Sequence, residues 1–152
     1  MKKLLQKIGI AFLVLFVLGV GCWVWGRQTS VHTVSINGTE LTVRVADHFF
    51  AQKKGLSGYE RDALQEDGML FRFSGAKVRT FWMKDMLFDL DVLWIADGRI
   101  VAIDRNVTAP LSRMDYPHTV SSNPLNVDAV LELPAGGATA FGIVEGMAVE
   151  VL

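Results

Sequence analysis

The stretch Leu90-Asp91-Val92-Leu93-Trp94-Ile95-Ala96-Asp97-Gly98-Arg99-Ile100-Val101-Ala102-Ile103-Asp104 decides the fold class. Two runs rich in β-branched and aromatic residues flank Asp97-Gly98, a pair suited to the positive-φ turn of a two-residue hairpin. The run Leu90–Ala96 and its partner Arg99–Asp104 therefore read as adjacent antiparallel strands. A second hairpin lies upstream, where Asn37-Gly38 separates Val31–Ile36 from Thr39–Val45. Leu41, Val43 and Val45 alternate there with Thr42 and Arg44, the pattern of a half-buried strand. Further strands are expected at Met69–Phe73, Val78–Met83, Val127–Leu133 and Met147–Val151. Asp47 is placed to cap a short helix through about Lys54, stopped by Gly55. Gly58 to Gly68 reads as a polar loop, and Ala138–Phe141 as a brief helical turn. Short strands without alternating helices exclude a doubly wound fold. They predict a mostly β domain, a compact antiparallel β-barrel or β-sandwich with one or two short helices.

The chain has 152 residues and 51% hydrophobic content, unevenly spread. Ile8 through Gly26 is a charge-free run of 19 residues behind Lys2, Lys3 and Lys7. As a helix it would span about 28 Å, close to the hydrocarbon thickness of a bilayer. Residues 1–30 accordingly read as a transmembrane or signal helix preceding the β domain at 31–152. Lysines at the amino end keep that end inside, which makes the domain periplasmic or cell-surface and the membrane a partner through residues 8–26. A cleaved signal, giving a secreted soluble form, is the alternative, and Cys22 is a lipidation candidate. A single cysteine excludes an intramolecular disulfide. All 16 acidic residues fall beyond position 30, against 11 basic ones there, a balance of −5. That balance argues against nucleic acid as a partner.

Phe81-Trp82-Met83-Lys84 is the sharpest local feature. Alternation places Trp82 and Lys84 on one face, where the lysine stem can cover the indole and its ammonium can meet a carboxylate. Asp91, opening the next strand, is the candidate partner, either as a structural ion pair or as part of an anion-binding cleft. The 22-residue interval Arg105–Asn126 is long for a compact domain and offers Arg113, Tyr116 and His118 as further ligand-binding candidates. Asp85, Asp89, Asp91 and Asp97 lack the spacing of a calcium loop, and His32, His48 and His118 belong to no zinc motif. No metal and no cofactor is expected.

Gly55-Leu56-Ser57, Gly68-Met69-Leu70-Phe71-x-Phe73, Phe81-Trp82-Met83-Lys84 and Leu90-Asp91 occur in that order. Val130-Leu131-Glu132-Leu133-Pro134-Ala135-Gly136, then Gly142-Ile143 and Gly146, complete the series. Together they resemble the small bacterial and archaeal family DUF192, over roughly Val34 to Val151. The resemblance implies a compact β structure, commonly behind an export signal or anchor, and it makes Gly55, Leu56, Gly68, Met69, Phe71, Phe73, Phe81, Met83, Glu132, Gly136 and Gly146 structural motif positions. Asp85, Asp89 and Met147 depart from the family pattern of asparagine, proline and aspartate. The function expected is a membrane-tethered extracytoplasmic binding or accessory domain for a small ligand, envelope polymer or protein partner. An envelope enzyme acting on carbohydrate or peptide through a Lys84/Asp91 cleft, and a purely structural β domain, stand as alternatives.

Overall fold

The computed structural model describes residues 29–112 and 115–152. Both hairpins form as their turn residues dictate. Asn37 and Gly38 have φ of 48° and 88°, Asp97 and Gly98 of 49° and 68°, the doubly positive pair whose twist matches the flanking strands. β1 (Ser30–Ile36) thereby pairs with β2 (Thr39–Ala46), and β5 (Leu90–Ala96) with β6 (Arg99–Val107). Adding β3 (Gly68–Lys77), β8 (Val127–Pro134) and β9 (Val149–Val151) gives one seven-stranded sheet in the order β6-β5-β8-β3-β2-β1-β9. A two-stranded ribbon, β4 (Thr80–Trp82) against β7 (Thr119–Ser121), packs separately.

The sheet curls until its outer strands meet at one end. Arg99 bridges Ala148, the Val149 amide donates to the Gly98 carbonyl, and the Ile100 amide donates to the Met147 carbonyl. Its concave face holds Val34, Leu41, Val43, Leu70, Leu93 and Leu131. The convex face holds Met69, Phe71, Leu90, Val92, Trp94 and Val130. That second face is covered by α1 (Phe49–Lys54) and the Met83–Met86 corner, while α2 (Gly137–Ala140) packs on the first through Ala138.

Four expectations need correction. The sheet is not wholly antiparallel, because β2 and β3 run parallel. Parallel neighbours require a crossover, and the segment carrying α1 and the 3₁₀ turn Arg61–Ala63 supplies it. The short helix is capped by His48, whose Nδ1 accepts from the Ala51 amide at 3.4 Å, and not by Asp47. The Arg105–Asn126 interval contains β7, and β6 runs on to Val107. Finally, no helix among the described residues is long and apolar enough to cross a membrane. The two α-helices among the described residues have six and four residues, lengths of roughly 9 and 6 Å against a hydrocarbon core of about 30 Å. The stretch read as a transmembrane or signal helix, with Cys22, lies outside the described residues. The membrane partner and the extracytoplasmic placement built upon it therefore gain no support from the fold.

Candidate functional site

The structure does not bring Lys84 and Asp91 together. Asp91 is buried on the concave side of β5 with Leu93 and Ile95. Its Oδ1 accepts from the Asn106 amide at 2.9 Å and its Oδ2 from the Ala138 amide at 3.0 Å. The carboxylate thus ties β5 to β6 and to the first turn of α2. Lys84 is exposed at the other face, its Nζ 5.6 Å from the centroid of the Trp82 ring. Between them stands the sheet, so the expected corner pair and the expected enzyme cleft have no common site. The ribbon sets Trp82 opposite Thr119, and the Met83 amide donates to the His118 carbonyl at 2.8 Å. The His118 and Tyr116 side chains are exposed. Arg113 lies outside the described residues. Among the described residues no group of His, Cys, Asp and Glu is arranged to hold a metal ion.

A different constellation forms where α1, β3 and β4 meet. These elements enclose a cleft of about 290 Å³ lined by Phe49, Lys53, Phe73, Arg79, Phe81 and Trp82, among others. Its floor is an aromatic cluster. The Phe81 ring stands edge-on to Phe71, Phe73 and Trp94, with centroids 4.9, 6.4 and 5.8 Å away, the arrangement that the ring quadrupoles favour. Phe49 and Trp82 remain 68% and 49% exposed at the rim, so both present apolar surface to whatever enters.

Arg79 supplies the polar element. Its guanidinium lies 3.7 Å from the Phe73 centroid, and its Nη2 donates to the Gly75 carbonyl at 2.7 Å. Ser122 fixes the backbone beneath it, accepting from the Arg79 amide through Oγ and donating its own amide to the Arg79 carbonyl, each at 2.9 Å. Nε is buried and has no partner among the described residues. Burial lowers the Arg79 pKa from its usual value, yet a guanidinium keeps its charge throughout the physiological range. Lys53 adds a second cation, and no carboxylate, histidine or cysteine among the described residues lines the cleft. In a domain with net charge −5 the local sign is reversed. Gln52 holds the helical wall in place, donating from Nε2 to the Arg72 carbonyl at 2.7 Å.

Behind the cleft lies Glu132, in the middle of β8. It sits directly opposite Met69 of β3 and Val92 of β5 on the convex face, and its Oε2 has no hydrogen-bond partner among the described residues. Burial alone pushes its carboxyl up to about 8. Two motif glycines are explained by the same neighbourhood. A Cβ on Gly68 would collide with the Glu132 carbonyl, so that strands β3 and β8 approach as they do only without one. Gly55 closes α1 at φ 51°, ψ −140°, with the Phe71 ring 3.2 Å and Glu132 Oε2 3.9 Å from where its Cβ would stand.

Phe49, Gln52, Lys53 and Arg79 were not among the candidates read from sequence, although Trp82 was. The available signal was Phe49-Phe50 in a six-residue helix. Adjacent aromatic side chains on so short an element point about 100° apart and cannot both reach one core.

Comparison with known proteins places this geometry in a family. Residues 32–151 match the model of DUF192, whose description is Uncharacterized ACR, and the chain belongs to that family. It is similar in structure to a candidate transcription regulator from Sinorhizobium meliloti 1021, with 31% identity and a TM-score of 0.70, covering 82% of this chain and 95% of that one. It is also similar to a protein of unknown function from Novosphingobium aromaticivorans DSM 12444, with 26% identity and a TM-score of 0.65, covering 79% and 84% of the two chains. No curated protein sequence matches the chain.

Proposed function

We propose that the domain binds a small aromatic monoanion in the cleft between α1, β3 and β4. The apolar body would lie against Phe81 and Trp82, and its acidic group would meet Arg79 with support from Lys53. The observation that carries this reading is Arg79, a stacked guanidinium with an unpartnered, buried Nε in a cleft that contains no acid. A buried N–H without a partner is costly, and an anion entering beside the guanidinium offsets that cost. Among the described residues the lining offers no carboxylate, histidine or cysteine, so binding is favoured over turnover. The regulator description of one relative does not favour DNA as the ligand, because a domain at −5 repels a phosphate backbone.

Titration with 2-naphthoate, followed by NMR of the Trp82 indole and the Phe73 and Phe81 rings, tests the proposal. Saturable shifts are expected at these residues, with neutral 2-naphthamide bound roughly tenfold or more weakly, as one charge-assisted hydrogen bond provides. Arg79→Gln should erase the preference for the anion. Equal affinity for the two probes, or shifts centred elsewhere, would refute it.

A further inference from the structure

We propose that Glu132 is a proton-controlled latch on this cleft, its neutral carboxyl allowing α1 to seat over Phe71 and its ionised form releasing the helix. The inference rests on the ligand reading for its effect on binding, although the latch itself does not. Three observations place the carboxyl in control of α1. Oε2 lies 3.9 Å from the position a Gly55 Cβ would occupy, so the end of the helix covers it with backbone alone. Phe71 stands between that glycine and the cleft, touching the first and lining the second. And α1 contributes Phe49, Gln52 and Lys53 to the cleft wall. A carboxylate in this apolar layer has to recruit water, and Gly55 is the place where no side chain bars its entry. Water arriving there separates the helix end from Phe71 and opens the wall.

The neighbouring ionisable groups do not share this task. Met69 of β3 and Val92 of β5 face Glu132 and carry no charge. On α1 and the segment that follows, His48, Lys53, Lys54 and Tyr59 are engaged elsewhere or exposed. His48 caps the other end of the helix, and Lys54 lies 4.6 Å over the Tyr59 ring. Arg61, Asp62 and Lys84 are exposed, Glu66 pairs with Arg44, and Asp67 accepts from the Thr42 amide. Asp85, half-buried at the corner, accepts the Gly58 amide through its backbone carbonyl. Among the described residues burial is the sole cause of the raised Glu132 pKa, with no charge or hydrogen bond contributing. The sign follows: at low pH the latch is closed, and it opens as pH rises through the carboxyl's midpoint.

Two measurements on the protein and its Glu132→Gln variant separate the latch from the ligand reading. The first is amide hydrogen exchange at Gln52 and Gly55, whose N–H groups bond the His48 and Ala51 carbonyls, corrected for intrinsic base catalysis. Protection should fall between pH 7 and 9.5 in the wild type and stay level in Glu132→Gln. Parallel profiles would overturn the latch, whether or not any ligand binds. The second is 2-naphthoate affinity, expected to weaken roughly 30-fold over that range in the wild type, the tenfold-per-unit loss of a proton-requiring state above its midpoint, and less than twofold in the variant. If 2-naphthoate fails to bind at any pH while protection falls as stated, the ligand reading fails and the latch stands. Should Glu132→Gln not fold, ¹³C-carboxyl titration of wild-type Glu132 decides: a midpoint near 8 supports the latch, and an ordinary carboxyl midpoint overturns it.

Discussion

Replacing Glu132 by glutamine should change the pH dependence of stability far more than its value at low pH. Glutamine keeps the shape and the buried polar tip but cannot ionise. In the wild type the folded state holds the Glu132 proton up to about pH 8, against an unperturbed value of 4.5. A folded-state pKa above the unfolded one means that folding takes up a proton. Stability is therefore full below about 4.5, is lost as pH rises towards 8, and is level beyond. Each pKa unit corresponds to about 1.4 kcal/mol. Integrating the two titrations from pH 5.5 to 8.5 gives about 3 kcal/mol of lost stability, a large share of the 5–15 kcal/mol typical of a domain. Urea unfolding of both proteins at pH 5.5, 7.0 and 8.5 measures it. Other titrating groups contribute equally to the two proteins and cancel in the difference. The gap should widen by about 3 kcal/mol in favour of glutamine as pH rises. A gap constant within about 0.5 kcal/mol would refute the buried carboxyl with its unpartnered Oε2.

Asp91→Asn should cost about 1–3 kcal/mol, because its two oxygens accept from Asn106 and Ala138 and an amide leaves one of those donors unmatched; 2-naphthoate binding to the folded variant should be unchanged, and a selective loss of binding without destabilisation would show a ligand role for Asp91. Gly55→Ala should also destabilise by about 1–3 kcal/mol, since a Cβ would meet Phe71 in a backbone conformation reserved for glycine; a neutral effect on the urea midpoint would contradict the close contact at the helix end. Trp82→Ala, at a half-exposed position, should leave the urea midpoint within about 1 kcal/mol and weaken 2-naphthoate roughly tenfold, as lost aromatic contact implies; unchanged affinity would remove Trp82 from the site.

What was legible in the sequence was whatever neighbours along the chain decide between themselves. Asn37-Gly38 and Asp97-Gly98 dictate tight turns through their own φ preferences, so the strands flanking them and their pairing follow without reference to the rest of the molecule. Alternation along Leu41–Val45 and the run Val130–Leu133 similarly mark strands, and the ordered motif fragments identify the family. Folding in three dimensions decided the remainder. The parallel pairing of β2 with β3 depends on a crossover whose length fits either direction of return. The face on which Asp91 lies, with the sheet between it and Lys84, depends on which side of β5 the corner packs. The cleft unites Phe49–Lys53, Phe71–Phe73 and Arg79–Trp82, three segments whose approach no local spacing encodes. Glu132 carries the same lesson: in sequence it is one polar residue in an apolar strand, and only the strands on both sides and the helix above bury its carboxyl. Turn preferences act over a few residues, whereas burial and proximity belong to the packed whole.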